Sequence, residues 1–345
     1  MNERVERLRK RLEEPLLVSA PANVRYLSGF VSSNAALLVE PERVRLFTDF
    51  RYAEGARAVE GVEVELLKRD LYANLSGLLT GKVGFEASAL TYASWEALSA
   101  GDAELVPRRG LVEGLRAVKD PAELRAVRAA AAIANRVYDR LAGEQFVGRS
   151  ERELAWRIEV LFHEHGADDL AFPCVVAAGE NGARPHTDPG DRKVGPGQTV
   201  VVDVGCIVDG YCSDCTRTFA TGPLPERLAR AYEVCLAAQE EALAAVRPGE
   251  RGEDVDAVAR KRIEDEGFGK AFGHGLGHGV GLLVHEDPRL APESQHVLAA
   301  GNVVTVEPGI YLSGLGGIRI EDLVVVGEDG AEALTTFPKE LTTVH

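Results

Sequence analysis

Apolar and polar positions alternate along the first third of the chain in short blocks. Val5, Leu8 and Leu12 recur at helical spacing, predicting a charged helix over residues 1 to about 14. Leu16–Ser19 reads as a short strand, and Asn23–Phe30 as a turn into the next element. Ala35–Val39 and Val44–Thr48 are β-rich runs around the polar turn Glu40–Arg43. Phe50–Val59 and Leu71–Leu79 read as helical, Val62–Leu67 and Lys82–Glu86 as strands. Strands alternating with helices predict an α/β layer. The pattern then changes. Asp120, Pro121 and Glu123 make a helix-start signature, and an Ala- and Arg-rich helix follows to about Leu141. Ser150 and Glu153 repeat the signature ahead of a helix running to about His165. Further on, Leu224–Val246 is a long helical stretch and Asp254–Glu266 a shorter one. Between and after them come strand-like runs: Phe172–Ala177, the run ending on Asp203, and the blocks around Glu307 and Glu321. The boundary between an α/β front domain (1–118) and a second, α+β domain (119–345) is placed at this change.

Composition narrows the partners. With 39 Lys and Arg against 54 Asp and Glu the net charge is −15. That argues against nucleic acid, which needs clustered cations, and against an anionic membrane surface. The charged start has no apolar signal-peptide region, and no apolar run reaches the about 18 residues of a membrane span. Five cysteines cannot all pair within one chain, so reduced thiols in a cytoplasmic protein are expected. Cys212 and Cys215 form a C-x-x-C, but no second pair completes a zinc knuckle.

The chemistry concentrates in Phe272–Pro288. His274, His278 and His285 sit among Gly273, Gly275, Gly277, Gly279 and Gly281. Glycines at this density disfavour a helix and let the backbone approach a ligand closely; grouped histidines point to metal or proton chemistry. Carboxylates punctuate apolar runs elsewhere: Asp203 after Val200–Val202, Asp214 eleven residues on, Glu307 after Val303–Val306, and Glu321 after Ile320. A carboxylate in such a run implies a partner, often a cation. Four oxygen donors and one imidazole form a hard set suited to Mn²⁺, Co²⁺, Fe²⁺ or Zn²⁺. Four carboxylates in one pocket repel unless cations neutralise them, and two ions about 3.5–4 Å apart can share a hydroxide nucleophile. His163 and His165, by contrast, read as cations placed at a helix C-terminus.

Asp203, Asp214, His278, Glu307 and Glu321, with Arg319 ahead of the last, resemble the ligand set of the pita-bread metallopeptidases. The blocks Gly273–Gly279, His285-Glu286-Asp287-Pro288, Pro185-His186 and Thr48–Tyr52 are most similar to the proline-specific branch (prolidase and aminopeptidase P, peptidase family M24). The resemblance covers the whole chain and implies a creatinase-like α/β front domain, then a curved antiparallel sheet with helices on its outer face. It implies that Asp203 and Asp214 hold one ion and His278 and Glu307 the other, with Asp214 and Glu321 bridging. The ions would be Mn²⁺ or Co²⁺ first, with Zn²⁺ or Fe²⁺ as alternatives. Glu307 would also shuttle the proton, and Arg319 would orient the carboxylates. His186 and His285 would contact substrate and steady the tetrahedral intermediate, with His274 lining the same pocket. Phe172 would wall a proline-sized pocket or simply pack in its strand. Tyr211 either hydrogen-bonds to the site or packs, and Arg217 reads as a structural ion pair. Arg289 would clamp the free carboxylate of a dipeptide, or stand as a solvated loop residue.

The function expected is hydrolysis of Xaa-Pro dipeptides by attack of a hydroxide bridging two ions. The alternative is an aminopeptidase P acting on longer proline-containing peptides. Methionine aminopeptidase lacks such a front domain, and creatinase works without this metal set. A metal-free pseudoenzyme that binds peptides or proteins is the reading of another class, and relatives of that kind typically lose ligands. The resemblance also implies a homodimer, with the loop around Ser32–Asn34 reaching towards the partner's site.

Overall fold

A computed structural model describes residues 3–345 and divides the chain into two compact units, Met1–Arg116 and Ala117–His345.

The front unit is one six-stranded sheet with short helices. Its strands are β1 (Leu16–Val18), β2 (Ala35–Val39), β3 (Val44–Asp49), β4 (Glu63–Leu67), β5 (Lys82–Glu86) and β6 (Glu104–Arg108), in the order β4-β3-β2-β1-β5-β6. The β1–β2 and β2–β3 pairs are antiparallel; the β3–β4, β1–β5 and β5–β6 pairs are parallel. Leu17, Leu38 and Phe47 are buried with Leu71, Leu75 and Leu98 from the flanking helices. The predicted turn at Asn23–Phe30 is instead a helix, Pro21–Ser28. Pro21 suits its first turn and Gly29, with φ +74°, closes it. The helix expected over 1 to about 14 spans Glu3–Arg9; Met1 and Asn2 lie outside the described residues. The predicted Phe50–Val59 helix is a 3₁₀ turn, Phe50–Tyr52, followed by Ala53–Arg57.

The second unit repeats one arrangement twice: a helix pair packed on an antiparallel sheet. Both capping boxes predicted from sequence are formed, at Asp120/Glu123 and Ser150/Glu153. They start the helices Pro121–Leu141 and Glu151–Glu164, whose Ile133, Tyr138, Leu154 and Phe162 bury against Val200, Val202 and Phe219. That sheet is β8 (Val175–Ala178), β9 (Thr199–Val204) and β12 (Cys215–Ala220). Beside it lie β7 (Asp169–Leu170), β10 (Cys206–Val208) and β11 (Tyr211–Cys212). The second pair, Glu226–Ala245 and Gly252–Asp265, buries Cys235, Ala238, Val255 and Ile263 against Val304, Val306 and Val324. Those residues belong to β15 (Val303–Val306) and β18 (Asp322–Val326), which join β13 (Gly277–Gly279), β14 (Glu286–Leu290) and β19 (Ala331–Ala333) in one sheet. A hairpin, β16 (Gly309–Leu312) and β17 (Gly316–Arg319), completes the unit. His163 and His165 sit at the end of the Glu151–Glu164 helix, as predicted. No helix among the described residues is long and apolar enough to cross a membrane. Cys174, Cys206, Cys215 and Cys235 are buried free thiols.

Candidate metal centre

Four of the five candidate ligands stand at or beside a strand end, and the fifth sits within a short strand. Asp203 ends the Val200–Val202 run of β9 and faces Thr216 of β12 across the ladder. Asp214 immediately precedes β12, Glu307 follows β15, His278 is the middle residue of β13, and Glu321 links β17 to β18. The antiparallel pairings draw these ends together. Ligand atoms of Asp214, His278 and Glu321 lie within 4.8 Å of one another, a group able to hold an ion. His278 Nε2 is 3.1 Å from Glu307 Oε1 and 3.6 Å from Asp214 Oδ2.

The glycines around His278 permit close approach of neighbouring strands. A Cβ at Gly277 would collide with the carbonyl of Thr305 on β15, and one at Gly279 with that of Asp287 on β14. These two glycines let β13 lie close between its neighbours, and Gly277 also lines the cavity described below.

The electrostatics call for cations. Burial, then the neighbouring carboxylates, with Glu321 foremost for Asp214 and Glu307 foremost for Glu321, push both carboxyls well above their usual range. Burial also works against the charges of Glu307 and His278. Their mutual hydrogen bond and attraction outweigh it, holding Glu307 down to about 2 and His278 above an ordinary imidazole. Asp203 Oδ1 is buried and has no hydrogen-bond partner. A buried polar atom left without a partner costs about 1–3 kcal/mol, and more when charged; beside three further carboxylates it fits a ligand atom awaiting an ion. His278 Nδ1 lies 3.1 Å from its own residue's neighbour, the Gly279 carbonyl, which favours a proton on Nδ1 and leaves Nε2 for a metal. The donor set therefore fits hard divalent cations.

Arg319 organises the carboxylates. It is buried and donates from Nη2 to Asp203 Oδ2 at 2.6 Å, from Nε to Thr216 Oγ1 at 3.0 Å, and from Nη1 to Tyr311 Oη at 3.0 Å and the Pro185 carbonyl at 3.1 Å. Thr216 donates in turn to Glu321 Oε2 at 2.7 Å, and Thr305 to Glu307 Oε1 at 3.0 Å. Tyr311, Thr216 and Thr305 were not among the predicted residues. One signal was available for Thr216: it stands two residues beyond Asp214 in a strand-like run, a spacing that puts both on one face. Tyr311 carried no such mark.

A cavity of about 640 Å³ opens on this cluster, lined by Phe172, His186, His274, His285 and Arg289 beside the five ligand residues and Arg319. The His285 ring lies 4.3 Å from that of His278, and burial lowers its pKa. His274 is neutralised by burial, and both its nitrogens are engaged: Nδ1 with the Gly275 carbonyl at 2.7 Å, Nε2 with Tyr311 Oη at 2.9 Å. It lines the pocket, but a catalytic role as a proton donor would require breaking one of these bonds. Of the two readings of Tyr211, packing describes its place: it is buried in an apolar cluster with Val127 and Val280. It does not line the cavity; its hydroxyl donates to Glu123 Oε1 at 2.8 Å, at the start of the Pro121–Leu141 helix. Its nearness to the aspartates in sequence reflects a hairpin, β10–β11, that turns it away. Arg217 is buried and pairs with Asp322 at 2.8 Å, as a structural ion pair.

The profile of metallopeptidase family M24 matches residues 125–328, and that of the creatinase/prolidase N-terminal domain matches 4–118. An Xaa-Pro dipeptidase of Pyrococcus furiosus is 34% identical over 350 residues, covering 99% of this chain and 100% of that protein. Among solved structures, the Xaa-Pro dipeptidase from Bacillus anthracis superposes with a TM-score of 0.95 at 36% identity, covering 99% of both chains. The X-Pro aminopeptidase from Thermotoga maritima superposes with a TM-score of 0.88 at 33% identity, covering 98% of this chain and 100% of the other.

Proposed function

Since the chain belongs to metallopeptidase family M24 and carries a creatinase/prolidase N-terminal domain, we propose that it is a dinuclear-metal hydrolase that cuts the Xaa-Pro bond of dipeptides. The observation that carries this is the convergence of Asp203, Asp214, His278, Glu307 and Glu321 on one cavity, with a carboxylate oxygen left orphaned there. Asp203, Asp214, His278, Glu307 and Glu321 would hold the ions. Bound divalent ions supply a water nucleophile active at neutral pH and polarise the scissile carbonyl.

The rest falls to the protein. Arg319 fixes Asp203 directly and Glu321 through Thr216, so the carboxylates are set before substrate arrives. Glu307, facing the same cavity, accepts the proton released on attack and returns it to the proline nitrogen of the leaving group. His186 and His285, exposed at the cavity, donate to the carbonyl oxygen as it gains charge, an interaction stronger in the transition state than in the substrate. Phe172 and Arg289 face the same cavity: Phe172 walls the proline ring and Arg289 clamps the free carboxylate.

Mn²⁺ or Co²⁺ is the ion that the oxygen-rich set suits first. A homodimer and a cytoplasmic location complete the proposal; buried free thiols suit a reducing compartment. A second reading, release of the N-terminal residue from longer Xaa-Pro peptides, is favoured by the likeness to the Thermotoga aminopeptidase. Leu-Pro and Leu-Pro-Pro, assayed with Mn²⁺ beside a chelated control, separate the two. Cleavage of the dipeptide alone is expected, and Arg289→Ala should raise KM for Leu-Pro far more than for Leu-Pro-Pro. Cleavage of the tripeptide alone establishes the second reading instead.

A further inference from the structure

His285 ends a turn that a buried ion pair closes. Glu286 opens β14 and stands opposite Gly279, one residue past His278. Its side chain folds back over the turn. Oε1 accepts from Leu283 N at 2.8 Å, and Oε2 lies 3.5 Å from Lys119 Nζ. The Lys119 and Glu286 side chains are only 1% and 5% exposed. The turn is held at two more points: Gly281 N donates to the Leu283 carbonyl at 3.0 Å, and Cys212 N to the Gly281 carbonyl at 2.8 Å. Gly281 leaves room for this arrangement, since a Cβ there would lie 2.7 Å from Glu286 Oε2. Lys119 is itself anchored. Its backbone N–H donates to the Gly301 carbonyl at 2.9 Å, and Asn302 Nδ2 binds the Ala117 carbonyl at 2.8 Å. It stands two residues ahead of the capped Pro121–Leu141 helix.

A buried ion pair adds little net stability, because desolvation offsets most of the attraction; its better-attested use is to specify one arrangement. The arrangement specified here is the Gly281–His285 turn.

We propose that Lys119 and Glu286 form a positioning pair for His285. The pair holds the turn so that the imidazole meets the cavity next to His278, while neither Lys119 nor Glu286 lines the cavity itself. This rests on the peptidase reading of the site, in which His285 steadies the reacting carbonyl.

The test uses Lys119→Met, Lys119→Arg and Glu286→Gln in the full chain. With Mn²⁺ supplied, Lys119→Met should lower kcat and kcat/KM together, by about 10–100-fold, as supporting partners of catalytic groups do. In a His285→Ala background the same change should cost nothing further, because the group it positions is gone. Lys119→Arg should restore most of the loss. A second readout needs no activity: with diamagnetic Zn²⁺ supplied, the imidazole NMR resonances of His285, assigned by their loss in His285→Ala, should shift in Lys119→Met and return in Lys119→Arg. The proposal is overturned if those resonances stay in place in folded Lys119→Met, or if the kcat losses multiply with His285→Ala. Should Lys119→Met fail to fold, Glu286→Gln keeps an acceptor for Leu283 N, removes the charge, and carries the same two readouts. If wild type cleaves neither Leu-Pro nor Leu-Pro-Pro, the peptidase reading fails, and the NMR readout still decides the positioning.

Discussion

Tyr311 does more at the site than any residue of its type in the chain suggested beforehand. Its hydroxyl accepts from Arg319 Nη1 and donates to His274 Nε2, so one oxygen joins the guanidinium that orients Asp203 to a pocket histidine. Burial pushes that phenol up to about 12, so it stays protonated and keeps its donor at neutral pH. Tyr311→Phe removes the oxygen alone. Activity should fall by about 10-fold, within the range typical of partners behind metal ligands. His274 should then gain freedom to accept from substrate, so KM should change as well as kcat. Steady-state kinetics on an Xaa-Pro substrate check this; unchanged kinetics would mean that Arg319 orients Asp203 without help.

At the scale of elements, the turn after β3 shows how a polar motif serves a strand end. Asp49 is buried in its side chain and accepts from Arg51 Nη2, Nε and N, and from Asn34 Nδ2 at 2.6 Å. These bonds, Arg51's first and Asn34's next, hold the carboxyl well below the usual range. The sign follows from proton binding. With its folded value below the unfolded one of about 3.9, Asp49 contributes stability that is fully present above about pH 4 and is lost as pH falls towards the folded value. Asp49→Asn should therefore destabilise the protein at pH 7, and the gap to wild type should narrow at pH 3. Urea midpoints at the two pH values measure it; a gap that widens in acid would reverse the sign. The same stretch, Thr48–Tyr52, closes a strand into a 3₁₀ turn in this structure.

Across the whole molecule, the four carboxylates of the site set a standing cost that cations remove. Asp214 and Glu321 resist ionisation because burial and like charges oppose it. Metal binding is thereby linked to folding. With free metal at about 100 times its Kd, the folded state gains about 2.7 kcal/mol. For a catalytic unit of this size that corresponds to about 5–10 °C in Tm. Chelation should lower Tm by that amount and abolish peptidase activity. In Asp214→Asn, chelator should move Tm much less. Calorimetry with and without chelator reads both; an unmoved wild-type Tm would count against a metal that binds only the folded state.

Much of this was determined by the sequence alone. Period and capping marked the long helices, because i to i+4 spacing and an Asp or Ser start are local properties of the chain. The four carboxylates of the candidate site stood out because a carboxylate in an apolar run needs a reason to be there, and His278 because it stands in a cluster of histidines among glycines. Local pattern was weakest where two states compete over few residues: Pro21–Ser28 is helical although Asn23–Phe30 reads as a turn. Tertiary structure decided everything that depends on which strand ends meet. The glycines around His278 answer to carbonyls on β14 and β15, Tyr211 points to a helix start instead of the metal ligands, and Thr216, Thr305 and Tyr311 become partners of residues up to 105 positions away. Lys119 meets Glu286 across 167 positions. Such contacts have no local signature, because strand order and register, not spacing along the chain, bring their partners together.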